Sequence, residues 1–374
     1  MALEKLPLKT LSLPFVIDRD ILKSLEEELE LFLVEEDFMN TKEFSKKVMF
    51  TQEIKANNTV EGYNDSVYLI KKVIENAQTE VNLEKRNRII NLYHGYQYIM
   101  KNREITEDNV LKLYDILSKN LLEAYDINHM GDKYREASVY ILKGGRLDDS
   151  MDQGIPYNKI QEFMDSYYNF IDNFEVDDCQ TDYFIKSQIM HFYFVYVHPF
   201  FDINGRSSRT IAMWYLLNNE VYPYIIFNRG INFDSDYDRI IGECKKKYNV
   251  TKFLEYMLIS VKKEVEKEYI IHNMDNQSSR VWRDVDYQTL NYFLAMNGEK
   301  TVLDYATMYN RLNTKKPTKI IFEDMILPMI NDETLKVKRE TKKNMYDNNL
   351  NLVLEFNKQR LNEVNLEKIK RLKL

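Results

Sequence analysis

Within twelve residues, His198-Pro199-Phe200-Phe201-Asp202-Ile203-Asn204-Gly205-Arg206-Ser207-Ser208-Arg209, the chain gathers an imidazole, a carboxylate, an Asn-Gly turn and two guanidiniums. Each suits one part of phosphate chemistry. An imidazole with an ordinary pKa of about 6.5 can take a proton near neutral pH. An ionised Asp202 accepts hydrogen bonds only and suits Mg²⁺, a hard cation usually held by one or two carboxylates plus substrate phosphates. Arg206 and Arg209 lie three apart in the first turn of a predicted helix, where positive charge opposes the macrodipole and calls for an anion. Asn204-Gly205 can take the positive-φ turn that aims the backbone N–H groups of that turn into a gap. A lone histidine after an apolar helix is usually a packed one, and a lone Asn-Gly is usually only a turn. Their joint occurrence is hard to assign to packing.

The elements that must hold this segment read as helices. The stretch Asp182 to Val197 is apolar on all sides, which predicts a central helix broken by Pro199, and a second helix follows from Arg206 to Leu217. Further helices are predicted over Asp18 to Phe38, Lys42 to Ala56, Ser66 to Ala77, Leu83 to Lys101 and Pro156 to Asn173, with Thr106 as the N-cap of another reaching about Ala124. Between Met130 and Asp149, the run Tyr134 to Leu142 followed by Gly144-Gly145 predicts a short hairpin. Beyond helices ending near Glu268, the order changes to three short helices (Asp286 to Met296, Val302 to Leu312, Thr318 to Ile330). Two alternating strand-like runs follow, Leu335 to Lys338 and Leu350 to Leu354. This is the order of a winged helix, a module used for DNA or for protein contact.

Composition agrees with a mainly α fold: 374 residues hold only 10 Gly and 7 Pro against 27 Tyr and 19 Phe. Cys179 and Cys244 are the sole cysteines, in no metal-like spacing, and imply neither a disulfide framework nor a zinc site. No stretch approaches the roughly 20 apolar residues of a membrane helix, and the first 20 residues lack an apolar leader core, so a cytoplasmic protein without membrane contact is expected. The net charge of −7 divides into a body of −12 and a tail, residues 280–374, of +5. A mildly basic tail permits nucleic-acid contact without requiring it.

The twelve-residue segment resembles the Fic signature, H-P-F-x-[D/E]-G-N-G-R-x-x-R, departing from it at Ile203, where glycine is usual. The resemblance extends over roughly residues 40–265. It implies a Fic-type helical bundle with a β-hairpin flap, to which the order of elements beyond residue 280 adds the winged-helix-like module. The implied domains are 1–110 (N-terminal helices with an inhibitory segment), 111–268 (catalytic core) and 280–374. It implies a protein adenylyltransferase that moves AMP from ATP onto a Tyr, Thr or Ser hydroxyl, with Mg²⁺ as cofactor. His198 would be the base and Asp202 the metal ligand. The ATP site would comprise Asp202, Ile203, Asn204, Gly205, Arg206, Ser207, Ser208 and Arg209, with Ile141, Leu142, Lys143 and Gly144 of the flap and Tyr237 near the adenine.

Thr59-Val60-Glu61-Gly62 resembles the inhibitory element [S/T]-x-x-x-E-[G/N] of the family, with Asn57 at its first position. Glu61 would pair with Arg209 and displace the γ-phosphate. Three readings stay open beside AMP transfer: transfer of another phosphate-containing group, removal of AMP, and DNA-binding regulation through residues 280–374. The partners implied are ATP and a protein hydroxyl, which the chain itself can supply, and the sequence admits a homodimer.

Overall fold

Most of the described chain is helix, as the scarcity of glycine and proline implies. The computed structural model describes residues 3–33, 43–75, 81–141, 152–221, 236–262, 299–312, 315–331, 333, 335–340 and 352–356. It divides into a unit ending at Lys263 and a second beginning at Glu264.

The first unit opens with a two-stranded ladder, β1 (Glu4–Lys5) with β2 (Val16–Ile17), and continues through α1 (Arg19–Leu33), α2 (Glu43–Val60), α3 (Val67–Glu75) and α4 (Leu83–Lys101). There follow α5 (Glu107–Ser118), α6 (Ala124–Asn128), and a hairpin of β3 (Tyr140–Ile141) with β4 (Asp152–Gln153). Next come α7 (Ile160–Asn173), α8 (Gln180–Val197), α9 (Asn204–Asn218), α10 (Tyr237–Lys247) and α11, which covers 251–262 of the described residues.

The centre is α8 against α9. From Phe184 to Phe194 every residue of α8 is buried, and α9 buries all but one residue from Asn204 to Leu216, so neither helix has a solvent face to spend on charge. Where α9 carries small polar residues they bond their own helix: Ser208 Oγ donates to Gly205 O at 2.9 Å and Thr210 Oγ1 to Arg206 O at 2.8 Å. Around this pair, α4 packs on both α5 and α9. A Cβ on Gly95 would stand 2.8 Å from Leu117 Cδ2, so the α4–α5 approach depends on the missing side chain.

Several boundaries differ from the sequence expectation, each for a local reason. The helix capped by Thr106, whose side chain accepts from Asn109 N, stops at Ser118 and not near Ala124. Asn120 takes φ 58°, a left-handed turn that asparagine tolerates, and ends it. Conversely α2 runs four residues beyond Ala56, to Val60, and is stopped by Gly62 at φ 83°. The strand expected from Tyr134 is confined, among the described residues, to Tyr140–Ile141, because Arg135 N donates to Pro199 O and not to a strand neighbour.

The turn after α2 is clamped by buried charge. Asp65, 1% exposed, accepts from Asn58 Nδ2 and Arg88 Nη2 and pairs with Lys85 Nζ, each at 3.1 Å. The Arg88 guanidinium lies 3.5 Å over the Tyr63 ring.

In the second unit, β5 (Lys300–Thr301), α12 (Val302–Leu312), a helical run α13, and strands β6 (Leu335–Glu340) and β7 (Leu352–Phe356) enclose a core. That core includes Val302, Tyr305, Phe322, Ile326 and Leu354. The strand order is β5-β7-β6, antiparallel throughout. The run α13 is α-helical over Thr318–Ile321 and Leu327–Asn331 and π-helical over Phe322–Ile326. Pro328 lacks the N–H that a continuous ladder needs there. The helix expected over Asp286 to Met296 lies outside the described residues.

Replacing Asp65 by Ala strands Arg88 and Lys85 in the clamp and should lower the stability of the chain by about 3 kcal/mol in denaturant unfolding. A loss below about 1 kcal/mol would show that the clamp carries little of the fold.

Candidate active site

Helix α8 ends at His198, which adopts φ 54°, ψ 60° and donates its N–H to Phe194 O at 2.9 Å, a left-handed C-cap that Pro199 then makes final. The loop that follows is closed by one side chain: Asn204 Oδ1 accepts from Phe200 N at 2.9 Å while its Nδ2 donates to Phe200 O at 2.8 Å. Asn204 is buried with both ends of its amide committed to the loop, so it holds the shape of the site and does not face a ligand. Ile203 takes φ 66°, ψ 9° with its side chain only 2% exposed. A left-handed conformation costs a β-branched residue roughly 1–2 kcal/mol, and burying the side chain offsets it. Asp202 is exposed, with Oδ1 held by the Ile203 N–H at 2.6 Å.

The two arginines of α9 are buried, Arg209 to 1% exposure, on a helix start that already repels cations. Arg209 finds its partners across the fold. Nε and Nη2 donate to Asn57 Oδ1 at 3.1 and 2.8 Å, Nη2 also pairs with Glu61 Oε1, and the Tyr237 hydroxyl completes the set. Asn57 lies in the last turn of α2 and Glu61 in the turn that directly follows it, so one short segment supplies both acceptors. Tyr237 is buried at the first position of α10, its hydroxyl 2.6 Å from His191 Nε2. Arg206 lies close enough to Glu61 to act on its charge, and its Nε has no hydrogen-bond partner among the described residues.

Glu61 itself sits against the start of α9. A Cβ on Gly205 would be 2.6 Å from Glu61 Oε1 and 3.0 Å from Arg209 Nη1, so the carboxylate is admitted only because position 205 has no side chain. Burial alone would raise the Glu61 pKa, but Arg209 and Arg206 outweigh it and hold the group below the usual carboxylate range. A helix N-terminus beside two guanidiniums is suited to an anion, and here the Glu61 carboxylate fills that place.

His198 is half-buried, and its surroundings push the imidazole down to about 3, burial first and then the charges of Lys245 on α10 and Arg135. The imidazole is therefore neutral at neutral pH. Of the other expected site residues, Ile141 lies in β3, while Leu142, Lys143 and Gly144 lie outside the described residues. Ser207 and Ser208 are buried in the helix pair. Sequence reasoning missed the acceptor role of Asn57, the Tyr237–His191 pair and Arg135. Asn57 carried a signal, its four-residue spacing from Glu61. His191 carried one as well, two helical turns before His198 on the same helix.

Comparison with known proteins bears on the fold of the first unit. Residues 104–216 match the model of the Fic/DOC family, so this segment is a Fic/DOC family domain. The fold is similar to that of a Fic family protein from Desulfovibrio desulfuricans G20, with TM-score 0.54 and 15% identity over 91% of this chain and 95% of that one. It is also similar to residues 134–508 of Fic-1 from C. elegans, with TM-score 0.50 and 15% identity over 70% of this chain and 73% of that one. No curated protein matches the chain.

A histidine whose native pKa lies below its unfolded value of about 6.5 binds fewer protons when folded, so its contribution to stability is full above that pH and falls as the pH drops toward 3. By NMR titration of labelled histidine, the His198 ring should keep the neutral form from pH 8 down to about 5. An inflection near the ordinary imidazole value would contradict the enclosure described for it.

Proposed function

From the Fic/DOC domain and the anion place that Glu61 fills, we infer that the chain is a protein adenylyltransferase, transferring AMP from ATP to a Tyr, Thr or Ser hydroxyl and restrained by Glu61. The observation that carries this reading is the Glu61 carboxylate held by Arg209 at the start of α9, where a triphosphate oxygen would be the competing ligand. In this reading the hydroxyl oxygen attacks the α-phosphorus, the bond to pyrophosphate breaks in line, and the proton passes to neutral His198. General-base help is typically worth about 10²–10⁴-fold for a base whose pKa lies near the working pH, so in this reading the charge of the bound triphosphate would raise His198 from its depressed value. Arg206 and Arg209 and the first N–H groups of α9 would hold the phosphates, and positioning would supply most of the rate.

Mg²⁺ fits Asp202. The carboxylate is exposed, one oxygen is oriented by the Ile203 N–H, and among the described residues no three His, Cys, Asp or Glu side chains converge as a metal cage. A cation that takes one carboxylate and completes its shell with phosphate and water suits such a position. When bound it would neutralise phosphate charge and orient the leaving pyrophosphate.

For the second unit we propose a winged-helix-like contact module, on the strength of two helical elements between β5 and β6 and the β5-β7-β6 order. Protein contact is favoured over DNA, because α13 mixes Lys319 with Glu323 and Asp324 and exposes Ile320 and Leu327 where nucleic acid asks for a basic stripe.

With α-labelled ATP and Mg²⁺, Glu61→Gly should raise AMP incorporation by an order of magnitude or more over the parent chain. Equal labelling of the two would remove Glu61 as an inhibitor, and no labelling of either by any target or by the chain itself would remove the activity. In the Glu61→Gly background, His198→Ala should abolish transfer while ATP affinity stays within about twofold, since the imidazole acts on the hydroxyl and not on the triphosphate. Persisting turnover in that variant would sink its role as the base.

A further inference from the structure

Arg135 is 2% exposed, and its acceptors are backbone carbonyls and not a carboxylate. Nε donates to His198 O at 2.8 Å, Nη1 to Ala137 O at 2.7 Å and Nη2 to Ile155 O at 2.5 Å. Its own backbone N–H donates to Pro199 O at 3.0 Å. Burial pushes the guanidinium pKa down to about 10, so the charge is kept at a cost that must be answered by what it holds.

What it holds is specific. Ala137 is on the leg of the hairpin entering β3, Ile155 on the leg leaving β4, and His198 is the C-cap of α8. Each carbonyl takes a different nitrogen of the guanidinium, which suits a planar fork of five donors and not the single ammonium of lysine. The neighbouring backbone makes room for the fork: a Cβ on Gly154 would stand 2.8 Å from Arg135 Nη2 and 3.3 Å from His198 Cβ.

We propose that Arg135 is a positioning residue of the active site, one guanidinium joining both legs of the hairpin at its base to the carbonyl of His198, so that the hairpin and the catalytic loop keep one register. The proposal deepens the transferase reading and rests on it for its kinetic consequence. A hairpin that receives the target segment and a base that deprotonates its hydroxyl must agree to well under an ångström, because misplacement of about 1 Å can cost 10²-fold.

In the Glu61→Gly chain, Arg135→Lys keeps the charge but cannot reach all three carbonyls, and should lower kcat for AMP incorporation on the order of 100-fold with KM for ATP changed less than about twofold. Gly154→Ala, which crowds the fork without removing it, should act in the same direction. Hydrogen exchange provides a readout independent of turnover. In both variants the amides of 134–140 and of 200–204 should exchange at least about tenfold faster together, while those of α4 and α5 keep their protection.

Loosening of the hairpin alone, or a kcat equal to that of the Glu61→Gly parent, would overturn the proposal. Should Arg135→Lys unfold, seen as loss of protection in α4 and α5, Gly154→Ala decides the matter. If the Glu61→Gly chain transfers no AMP, the transferase reading fails, and the exchange data still decide whether Arg135 couples the two segments.

Discussion

The structure turns on one buried charge. Arg209 lies in the helix pair that forms the centre of the first unit, 1% exposed and close to a helix start where the backbone dipole does not favour a cation. An unpaired guanidinium in such a place would cost several kcal/mol. The fold around it can be read as the answer. The end of α2 is brought 148 to 152 residues across the sequence to supply a carboxylate and an amide oxygen, and the start of α10 supplies a hydroxyl backed by His191.

The division of labour among these partners matters. Asn57 belongs to α2 itself and accepts two of the Arg209 donors, whereas Glu61 stands just past the end of that helix, in a turn closed by Gly62. If an incoming phosphate replaces the carboxylate, Asn57 and Tyr237 still fix the direction of the guanidinium, and the charge passes from one anion to another without passing through an unpaired state. The clamp of Asp65 with Arg88, Lys85 and Asn58 sets where that turn sits. In the proposed reading, resting and productive states would be two ways of satisfying the same cation, and their difference in free energy would be the difference between a tethered carboxylate and a bound triphosphate.

Legibility in the sequence followed the range of the interactions. The twelve-residue segment could be read because its chemistry is contiguous, and α4 and the Thr106 cap because their signals are local. The end of α2 could not, since Asn57 and Asn58 look like helix breakers by propensity and are retained in the helix by bonds to Arg209 and Asp65 that no local pattern encodes. The hairpin was legible as an extended segment, but its first half is governed by Pro199 and His198, more than sixty residues on. Ile203 stands where the resemblance has glycine. The turn forms there regardless, with the side chain taking the role that conformational freedom plays in glycine.

That substitution has an entropic consequence. A glycine in a left-handed turn is free to leave it, and a ligand that needs the turn must meet the cost of ordering a residue with many accessible states. Ile203 has few other states open to it once its side chain is packed, and Asn204 fastens the same loop from the other side. Disorder in this loop that any ligand would otherwise have to remove has been removed already, during folding. The chain accepts about 1–2 kcal/mol of torsional strain at one residue, and in the proposed reading it would in return present this turn in a near-final shape before any anion arrives.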